Sequence, residues 1–324
     1  MENSNYGKNT QKKVPDAPHS NWVDNYCPSA ARPYLRLSRL DRPIGNWLLL
    51  IPCWWGSCLA LTSESKIIDF NDYWIIFSCV VGAVLMRGAG CTWNDISDRN
   101  LDLKVKRTKF RPIPAGQVSI RNAIFWMFAQ LLVSLFILLS FNKLAIIVGL
   151  CSIFPVLIYP YAKRFTWWPQ LFLGIAFNWG ILLSFSAHQE KLNTSVFLLY
   201  LAGIFWTLFY DTIYAHQDRE DDALAGIKST ALLFGDKTHK WLQIFCVIST
   251  CLAMTSFIMS FKNLFNSQLT LILIGVFGYA IHLFLQTKKL DIGEPELCLV
   301  LFRSNRNAGL IIVMFSLFAV ASRF

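Results

Sequence analysis

Three aspartates and an asparagine form the first group of residues in this sequence whose types and spacing could support chemistry. Asp98 and Asp102 follow Asp95 by three and seven residues, and Asn94 comes directly before Asp95. If these residues continue a helix, the three carboxylates share one face and Asn94 lies one turn before Asp98. The spacing therefore predicts a strip of oxygen donors along one helix.

A second acidic group comes more than one hundred residues later. Tyr214, Asp218 and Asp222 follow Asp211 by three, seven and eleven residues. This spacing again predicts one face of a helix. Each of the two acidic groups follows a long apolar run of the chain, so both are expected at one surface of a membrane.

Two carboxylate groups near a bilayer are unfavourable unless cations offset them, because like charges repel and desolvation adds to the cost. Carboxylates together with substrate phosphates are the usual ligands of Mg²⁺, and Mg²⁺ on a diphosphate makes it a leaving group. Two other interpretations are a solvated acidic helix end and a network of ion pairs with the basic loops. The candidate Mg²⁺ ligands are Asn94, Asp95, Asp98, Asp102, Asp218 and Asp222.

Basic residues follow both acidic groups closely. Arg and Lys are the residues that bind phosphate oxygens. They also accumulate in loops on one side of a membrane for topological reasons alone, so each of them has this second interpretation. The candidate diphosphate contacts are Lys106, Arg107, Arg111 and Lys228.

The elements that must position these groups are apolar helices. The chain of 324 residues is 54% hydrophobic and only 15% charged, well below the roughly 25% of charged residues in a soluble domain. Nine apolar runs are each long enough to cross a bilayer as a helix, and they lack the alternation of a membrane barrel. We expect an all-α polytopic membrane protein with helices at about 46–62, 73–93, 121–141, 143–160, 170–187, 195–214, 241–260, 268–286 and 306–323.

Lys and Arg are distributed unequally between the two sides of these helices. Of the 30 basic residues, 22 fall on the N-terminal side and five on the opposite side. The positive-inside rule then places the N-terminus in the cytoplasm. No signal or transit peptide is recognised, so a bacterial inner membrane is expected. Nucleic acid is excluded as a partner because no folded domain is left to present the charge. Residues 1–33 are expected to form a flexible cytoplasmic arm, with the membrane domain at 34–324.

The two acidic groups belong to longer motifs. The first continues into Lys106-Arg107-Thr108-x-x-Arg111-Pro112, and the second into Gly226-Ile227-Lys228-Ser229-Thr230-Ala231. Further motifs are Arg39-Leu40-Asp41-Arg42-Pro43-Ile44-Gly45, Tyr159-Pro160-x-x-Lys163-Arg164 and Pro169-Gln170-x-x-Leu173-Gly174. As a set, from about residue 34 through the last apolar run, they resemble the UbiA family of intramembrane aromatic prenyltransferases. His216-Gln217-Asp218 and Lys228-Ser229-Thr230 resemble the branch that acts on 4-hydroxybenzoate in ubiquinone synthesis.

This resemblance implies nine helices around a central cavity that opens to lipid. It implies Mg²⁺ and two substrates, a polyprenyl diphosphate and 4-hydroxybenzoate. Asp211 matches the family's base position and would orient or deprotonate the phenol, with Tyr214 in support. The acceptor's carboxylate needs a cation, for which Arg39 is the first candidate, with Asn46 expected on the same helical face, and Arg164 the second. The alternative for Arg39 is an anchor to lipid headgroups.

Two other functions fit parts of the pattern. The same chemistry could serve another acceptor, such as homogentisate, a naphthoate, chlorophyllide or haem. A secondary transporter could use the carboxylates for cation coupling. Transporters place such sites near the bilayer midplane, often at broken helices within inverted repeats, whereas both acidic groups here fall at helix ends on one side.

Overall fold

The computed structural model describes residues 20–63, 68–103, 108–261 and 267–322, and within these ranges the regular structure is helical only. The first helices are α1 (Trp22–Tyr26), α2 (Arg32–Leu37), α3 (Ile44–Ser63), α4 (Phe70–Asp102) and α5 (Ile120–Leu138). The next are α6 (Lys143–Cys151), α7 (Ile153–Phe165), α8 (Pro169–Phe177), α9 (Trp179–Gln189) and α10 (Thr194–Ala215). The last are α11 (Arg219–Ala225), α12 (Thr230–Phe234), α13 (Thr238–Ser260), α14 (Ser267–Lys289) and α15 (Pro295–Ala321).

Among the described residues, nine helical segments are long and apolar enough to cross a membrane. This confirms the expected all-α polytopic fold. The segments are Ile44–Thr62, Phe70–Asp102, Ile120–Leu138, Lys143–Phe165, Pro169–Gln189, Thr194–Leu224, Thr230–Ser260, Ser267–Lys289 and Pro295–Ala321. The last segment begins at Pro295, eleven residues before the expected start at 306. A proline is accommodated in the first turn of a helix, because the N–H that it lacks has no partner there. Arg303 and Arg306 therefore lie inside α15.

Aromatic side chains fill the centre of the molecule. The rings of Trp55 on α3 and Trp206 on α10 stack with centroids 4.9 Å apart, and Tyr279 of α14 meets Trp55 edge-on. All three side chains are fully buried. Helix α10 packs against α8, α13 and α15, while α3 packs against α4, α9 and α15. The two helices that carry the acidic groups, α4 and α10, both also contact α3 and α9.

Several of the membrane segments are broken rather than continuous. Pro155 follows the junction of α6 and α7, and it has no N–H to donate to the carbonyl of Cys151, so the helix is interrupted at Ser152. A second break separates α8 from α9 at Asn178, whose Nδ2 donates to the Gly174 carbonyl at 2.8 Å.

The chain before α3 also contains helical structure. Val23 of α1 is fully buried, and Asp24 accepts from Arg36 of α2 at 2.7 Å in a buried ion pair. Residues 22–26, which the sequence places in the N-terminal arm, are therefore helical, and the boundary at residue 33 stays a prediction.

Candidate active site

Helix α4 continues through the first acidic group to Asp102, as its spacing requires. Asp95, Asp98 and Asp102 are all buried. The stretch has no glycine or proline to end the helix. Three carboxylates are thus aligned on one face at one end of a membrane helix, and their charges must be offset by neighbouring groups.

Arginine and lysine side chains provide that offset. Arg39 donates to Asp95 Oδ1 at 2.6 Å, and Arg111 reaches both Asp95 Oδ1, at 3.2 Å, and Asp102 Oδ2, at 2.9 Å. Buried carboxylates keep their charge only with such partners. The first acidic group therefore takes part in a network of ion pairs, one of the interpretations that the sequence left open.

Asp98 belongs to a separate part of this network, at the contact between α4 and α7. Lys163 donates to Asp98 Oδ2, and Arg164 lies 3.4 Å from Asp98 Oδ1. Arg164 also donates to the Ser97 carbonyl and stacks over the ring of Tyr161. Arg164 thus joins α7 to α4.

Arg39 lies in a sharp bend between α2 and α3, and its φ of 57° is in the left-handed region. Since α3 begins only at Ile44, Arg39 and Asn46 do not share a helical face, and that expectation was wrong. Pro43 contributes to the late start of α3, because it disfavours helical backbone in Arg42, the residue before it. Burial lowers the pKa of the Arg39 guanidinium, but Asp95, Cys91 and Asp41 raise it by more, so its pKa lies above the usual value.

Asp41 lies in the same bend and is buried. Its Oδ1 is 3.4 Å from Nε of Arg42. Burial raises the pKa of the Asp41 carboxyl, and the charges of Arg42 and Arg39 offset part of that rise. The bend therefore presents two guanidinium groups and one carboxylate to the interior.

The second acidic group is split between three elements. Asp211 and Tyr214 lie on α10, but the helix tightens to a 3₁₀ turn over His216–Asp218, and Asp222 lies on α11. The expected single face from Asp211 to Asp222 was therefore wrong. His216 is buried, and its Nε2 lies 3.1 Å from Thr238 Oγ1, so the turn is bound to α13.

The Lys228-Ser229-Thr230 motif has packing contacts. The Lys228 backbone N–H donates to the Lys163 carbonyl, and its Nζ lies 3.4 Å from the Phe165 carbonyl and over the Trp167 ring. Ser229 caps α12, and Thr230 is hydrogen bonded to Thr212 of α10. This motif joins α7, α10 and α12.

A polar cavity of about 210 Å³ lies between the bend and the ends of α4, α10 and α15. Five of the predicted site residues line it: Arg39, Asn94, Arg111, Asp211 and Tyr214. Its wall also contains residues that were not predicted, among them Arg42, Arg87, Tyr159, Tyr210 and Arg303. The cavity thus exposes five guanidinium groups to whatever enters it, which suits a ligand with several negative charges.

Arg87 is the most informative of the added residues. It lies in the middle of α4, its Nε is buried with no hydrogen-bond partner, and its guanidinium stands 5.0 Å from the centre of the Phe177 ring. Gly45 makes room for it, since a Cβ there would lie 2.5 Å from Arg87 Nε. The sequence signal was a lone cation within an apolar run, where a charge is costly and usually functional.

An apolar cavity of about 430 Å³ adjoins the polar one. Arg87, Tyr159 and Phe177 line both cavities and so mark their junction. The apolar cavity is walled by α3, α4, α5 and α9 together with the α6–α7 segment. Exposed side chains such as Phe128 and Leu150 form part of its wall, so it reaches the lipid-facing surface.

The remaining predicted residues do not line the polar cavity: Asn46, Asp95, Asp98, Asp102, Arg164, Asp218, Asp222 and Lys228. Asp98, Asp102 and Arg164 belong to the ion-pair network, and Lys228 contacts the end of α7. Lys106 and Arg107 lie outside the described residues.

The predicted Mg²⁺ ligands have suitable donor atoms but are not gathered into one cluster in the structure. Within the described part of the chain, three or more His, Cys, Asp or Glu side chains are nowhere gathered closely enough to hold one ion. The donor chemistry nevertheless fits Mg²⁺, because the acidic groups offer oxygen atoms only. Asp95 Oδ2 in particular is buried without a hydrogen-bond partner.

The described residues form nine helices long enough to cross a bilayer, and a cavity lined by arginines adjoins an apolar one, an arrangement that suits a ligand with both anionic and apolar parts. The sequence pattern of the UbiA prenyltransferase family matches residues 49–307. The chain therefore belongs to the UbiA prenyltransferase family.

Known relatives agree with this assignment. The chain is 46% identical to the mitochondrial 4-hydroxybenzoate polyprenyltransferase of Bos taurus and 44% identical to that of Homo sapiens, in each case over 90% of this chain and 76% of the relative. A UbiA homolog from Archaeoglobus fulgidus bound to GPP and Mg²⁺ is 19% identical and has the same fold, with a TM-score of 0.67 over 89% of this chain and 99% of that one.

Two expectations change with these comparisons. Because the chain belongs to a prenyltransferase family, the transporter alternative is rejected. The relatives named above are mitochondrial, so a bacterial inner membrane is not supported. What stands is a multi-pass membrane protein.

Proposed function

We propose that the protein transfers a polyprenyl group from polyprenyl diphosphate to the ring of 4-hydroxybenzoate, forming 3-polyprenyl-4-hydroxybenzoate and diphosphate in ubiquinone synthesis. The relatives that carry this activity in their names support it. The observation that carries the proposal is the junction of the two cavities. An arginine-rich cavity suits a diphosphate and a carboxylate, and the adjoining apolar cavity suits a long isoprenoid tail.

Arg87 is proposed to bind the acceptor's carboxylate. Among the arginines that line the polar cavity, Arg39 and Arg111 already hold Asp95. Arg87 instead has a buried, unpartnered Nε and contacts an aromatic ring. A carboxylate on a flat aromatic acid would pair with the Arg87 guanidinium where it lines the cavity, and the Phe177 ring would pack beside the acceptor. Arg87 therefore replaces Arg39 and Arg164, the candidates that the sequence suggested for binding the acceptor's carboxylate.

The diphosphate is proposed to lie toward Asn94, Arg111 and the acidic groups. Arg111 and Arg42 supply N–H donors for its oxygen atoms. Mg²⁺, when bound by Asn94, Asp95, Asp98, Asp102, Asp218 and Asp222, would neutralise the diphosphate and make it a leaving group. Two observations support Mg²⁺ here: these residues offer oxygen donors, and Mg²⁺ is the metal that the UbiA family usually requires.

Asp211 and Tyr214 line the same cavity and are proposed to act on the acceptor's phenol. The allylic C–O bond breaks and its electron pair leaves with the diphosphate. Asp211 accepts the phenol proton, and the phenolate directs electron density to the ortho ring carbon, which forms the new C–C bond to the allylic carbon. That ring carbon then loses its proton to the released diphosphate, and Asp211 returns its own proton to the phenolate oxygen. The apolar walls exclude water, which would otherwise capture the allylic cation.

A membrane assay tests this function directly. Labelled 4-hydroxybenzoate, a polyprenyl diphosphate and Mg²⁺ are expected to give a lipid-extractable product, and EDTA to abolish it. Asp211→Asn should remove turnover, whereas Arg306→Gln, an exposed cation outside the cavity, should keep it. Turnover with a different aromatic acceptor alone would retain the chemistry and overturn the acceptor.

We also propose that the N-terminus and the acidic groups face the same side of the membrane, since the basic loops concentrate there. In sealed vesicles of known orientation, and with the accessible Cys27, Cys151 and Cys251 replaced by serine, an impermeant thiol reagent should label Ser29→Cys and Lys191→Cys from opposite sides. Both positions are exposed. Labelling of both from one side would contradict the proposed topology.

A further inference from the structure

The bend at Arg39 needs something to hold it. A non-glycine residue with φ of 57° is in an unfavourable backbone region, and such residues persist only where their surroundings fix them. The bend matters because Arg39 Nη1 donates to the Arg36 carbonyl while Nη2 reaches Asp95 Oδ1. A relaxed backbone at Arg39 would move the guanidinium away from Asp95.

The residue before Arg39 is tied to helix α5. Ser38 Oγ accepts a hydrogen bond from Trp126 Nε1 at 2.8 Å and donates one to Gln130 Oε1 at 3.1 Å. Gln130 Nε2 in turn donates to the Trp126 carbonyl at 3.2 Å. Ser38 and Gln130 are 2% and 6% exposed, so these bonds are shielded from water. The hydroxyl of Ser38 thus both donates and accepts a hydrogen bond with α5.

Helix α4 passes this anchor without a side chain. A Cβ on Gly88 would lie 1.9 Å from Gln130 Oε1 and 2.9 Å from Ser38 Oγ. Gly88 precedes Asp95 by seven residues, two turns along the same face of α4. The bend, α4 and α5 therefore meet at Gly88, two helical turns before Asp95 and its ion pair with Arg39.

Helix α5 otherwise has little polar function. Its large side chains Phe125, Phe128, Leu132 and Phe136 are exposed on the lipid-facing surface. A glutamine turned inward from such a helix is unfavourable unless it makes specific bonds. The structure gives Gln130 those bonds at Ser38 and at its own helix.

We infer that Gln130 is a positioning residue, which acts with Trp126 through Ser38 to hold Arg39 in its left-handed bend. The Arg39 guanidinium then stays paired with Asp95 Oδ1 and keeps its place in the wall of the polar cavity. This inference rests on the proposed function for its effect on turnover, and on contacts within the chain for the anchor itself.

A double-mutant cycle on kcat/KM tests the inference. Gln130→Met removes the acceptor and keeps the side chain's volume. We expect it to lower kcat/KM about tenfold in the wild-type background, with the loss mainly in KM for the polyprenyl diphosphate. In an Arg39→Lys background it should lower kcat/KM less than twofold, since the group being positioned is already changed. Trp126→Phe, which removes the indole donor together with part of the ring, should also have a smaller effect in the Arg39→Lys background than in the wild type.

The matched control is Gln286→Met. Gln286 is also buried and accepts from Asn305 at 2.9 Å, so it too joins two membrane helices. Gln286→Met should lower kcat/KM by the same factor in the wild-type and the Arg39→Lys backgrounds. An equal effect of Gln130→Met in both backgrounds, or none in either, would overturn the inference.

Melting temperature provides a second cycle that needs no turnover. The losses caused by Gln130→Met and Arg39→Lys should be less than additive, whereas those of Gln286→Met and Arg39→Lys should add. A wild-type protein without prenyl transfer but with a non-additive Gln130–Arg39 pair would leave the anchor standing and reject the proposed function. Additive melting losses for that pair would reject the anchor.

Discussion

Arg87 lies in the middle of α4 and has a buried Nε without a hydrogen-bond partner, and it lines both cavities, whereas the other arginines of the polar cavity do not line the apolar one. Arg87→Gln is expected to raise KM for 4-hydroxybenzoate at least tenfold, since a hydrogen bond to a charged group contributes about 1.5–3 kcal/mol. KM for the polyprenyl diphosphate should change little. Steady-state kinetics with each substrate varied separately measures both.

Arg306→Gln is the control for this prediction, because Arg306 is exposed and lies outside both cavities. An equal rise in both KM values for Arg87→Gln would show that Arg87 does not distinguish the acceptor. A phenol without the carboxylate should lose most of the difference between wild type and variant, since the proposed partner of Arg87 is then missing.

The left-handed backbone of Arg39 leads to a prediction on stability. Arg39→Gly and Arg39→Ala both remove the guanidinium, but only glycine adopts φ of 57° without steric cost. Arg39→Gly should therefore be the more stable variant, by about 1 kcal/mol. Thermal unfolding of the purified protein in detergent measures the difference. At Arg306, inside α15, the order should reverse, because glycine weakens a helix.

Residue types in the sequence identify much of the candidate site but not its pairing. Asn94, Arg111, Asp211 and Tyr214 line the cavity as a site prediction requires. The partner of each charge depends on packing, however. Arg111 lies nine residues from Asp102 and sixteen from Asp95, yet it holds both. Nothing in the local sequence distinguishes these two ion pairs from a contact between Arg111 and a phosphate.

At the scale of the elements, periodicity was reliable where the helix continues. The first acidic group lies on α4 without interruption, whereas the second crosses from α10 through a 3₁₀ turn into α11. The interruption depends on His216, whose contact with Thr238 comes from α13, 22 residues away. The bend at Arg39 is similar, because its anchor lies on α5. Long-range contacts of this kind override local spacing.

The approach of α4 to α5 gives a prediction at this scale. Gly88→Ala must displace Gln130 Oε1, which would lie 1.9 Å from the new Cβ, and is expected to destabilise the protein by about 1–3 kcal/mol. Gly82→Ala on the same helix meets no atom within 4 Å and should be neutral or stabilising. Thermal unfolding compares the two. Equal destabilisation would show that the close approach at Gly88 is not what limits this position.

The whole molecule combines two environments that rarely adjoin. One end of the helix assembly holds buried charges satisfied by each other, and the middle holds an apolar space that reaches the lipid-facing surface. Composition alone predicts nine membrane helices, but it does not show which faces line a cavity. Phe and Leu side chains facing lipid and facing the cavity have the same chemistry, so only their packing separates them.

The apolar cavity leads to a prediction about substrate length. Gly82 lines it, and a Cβ there would meet no atom within 4 Å, so Gly82→Phe should place its ring in the open space. Gly82 lies thirteen residues before Asp95 in the sequence, about 20 Å along α4. A short tail should not reach it. We expect kcat/KM to fall at least tenfold with a long polyprenyl diphosphate and less than twofold with geranyl diphosphate.

Competition between the two diphosphates in one reaction measures this ratio without a separate correction for the amount of active protein. Leu317→Phe is the control, because Leu317 is half-exposed on the outer face of α15 and should leave the ratio unchanged. If Gly82→Phe lowered turnover equally for both substrates, the tail would not occupy this cavity, and the lipid chain would have to leave the polar cavity by another path. A selective loss with the long substrate would instead connect the charged end of the site to the lipid-facing opening through one continuous space.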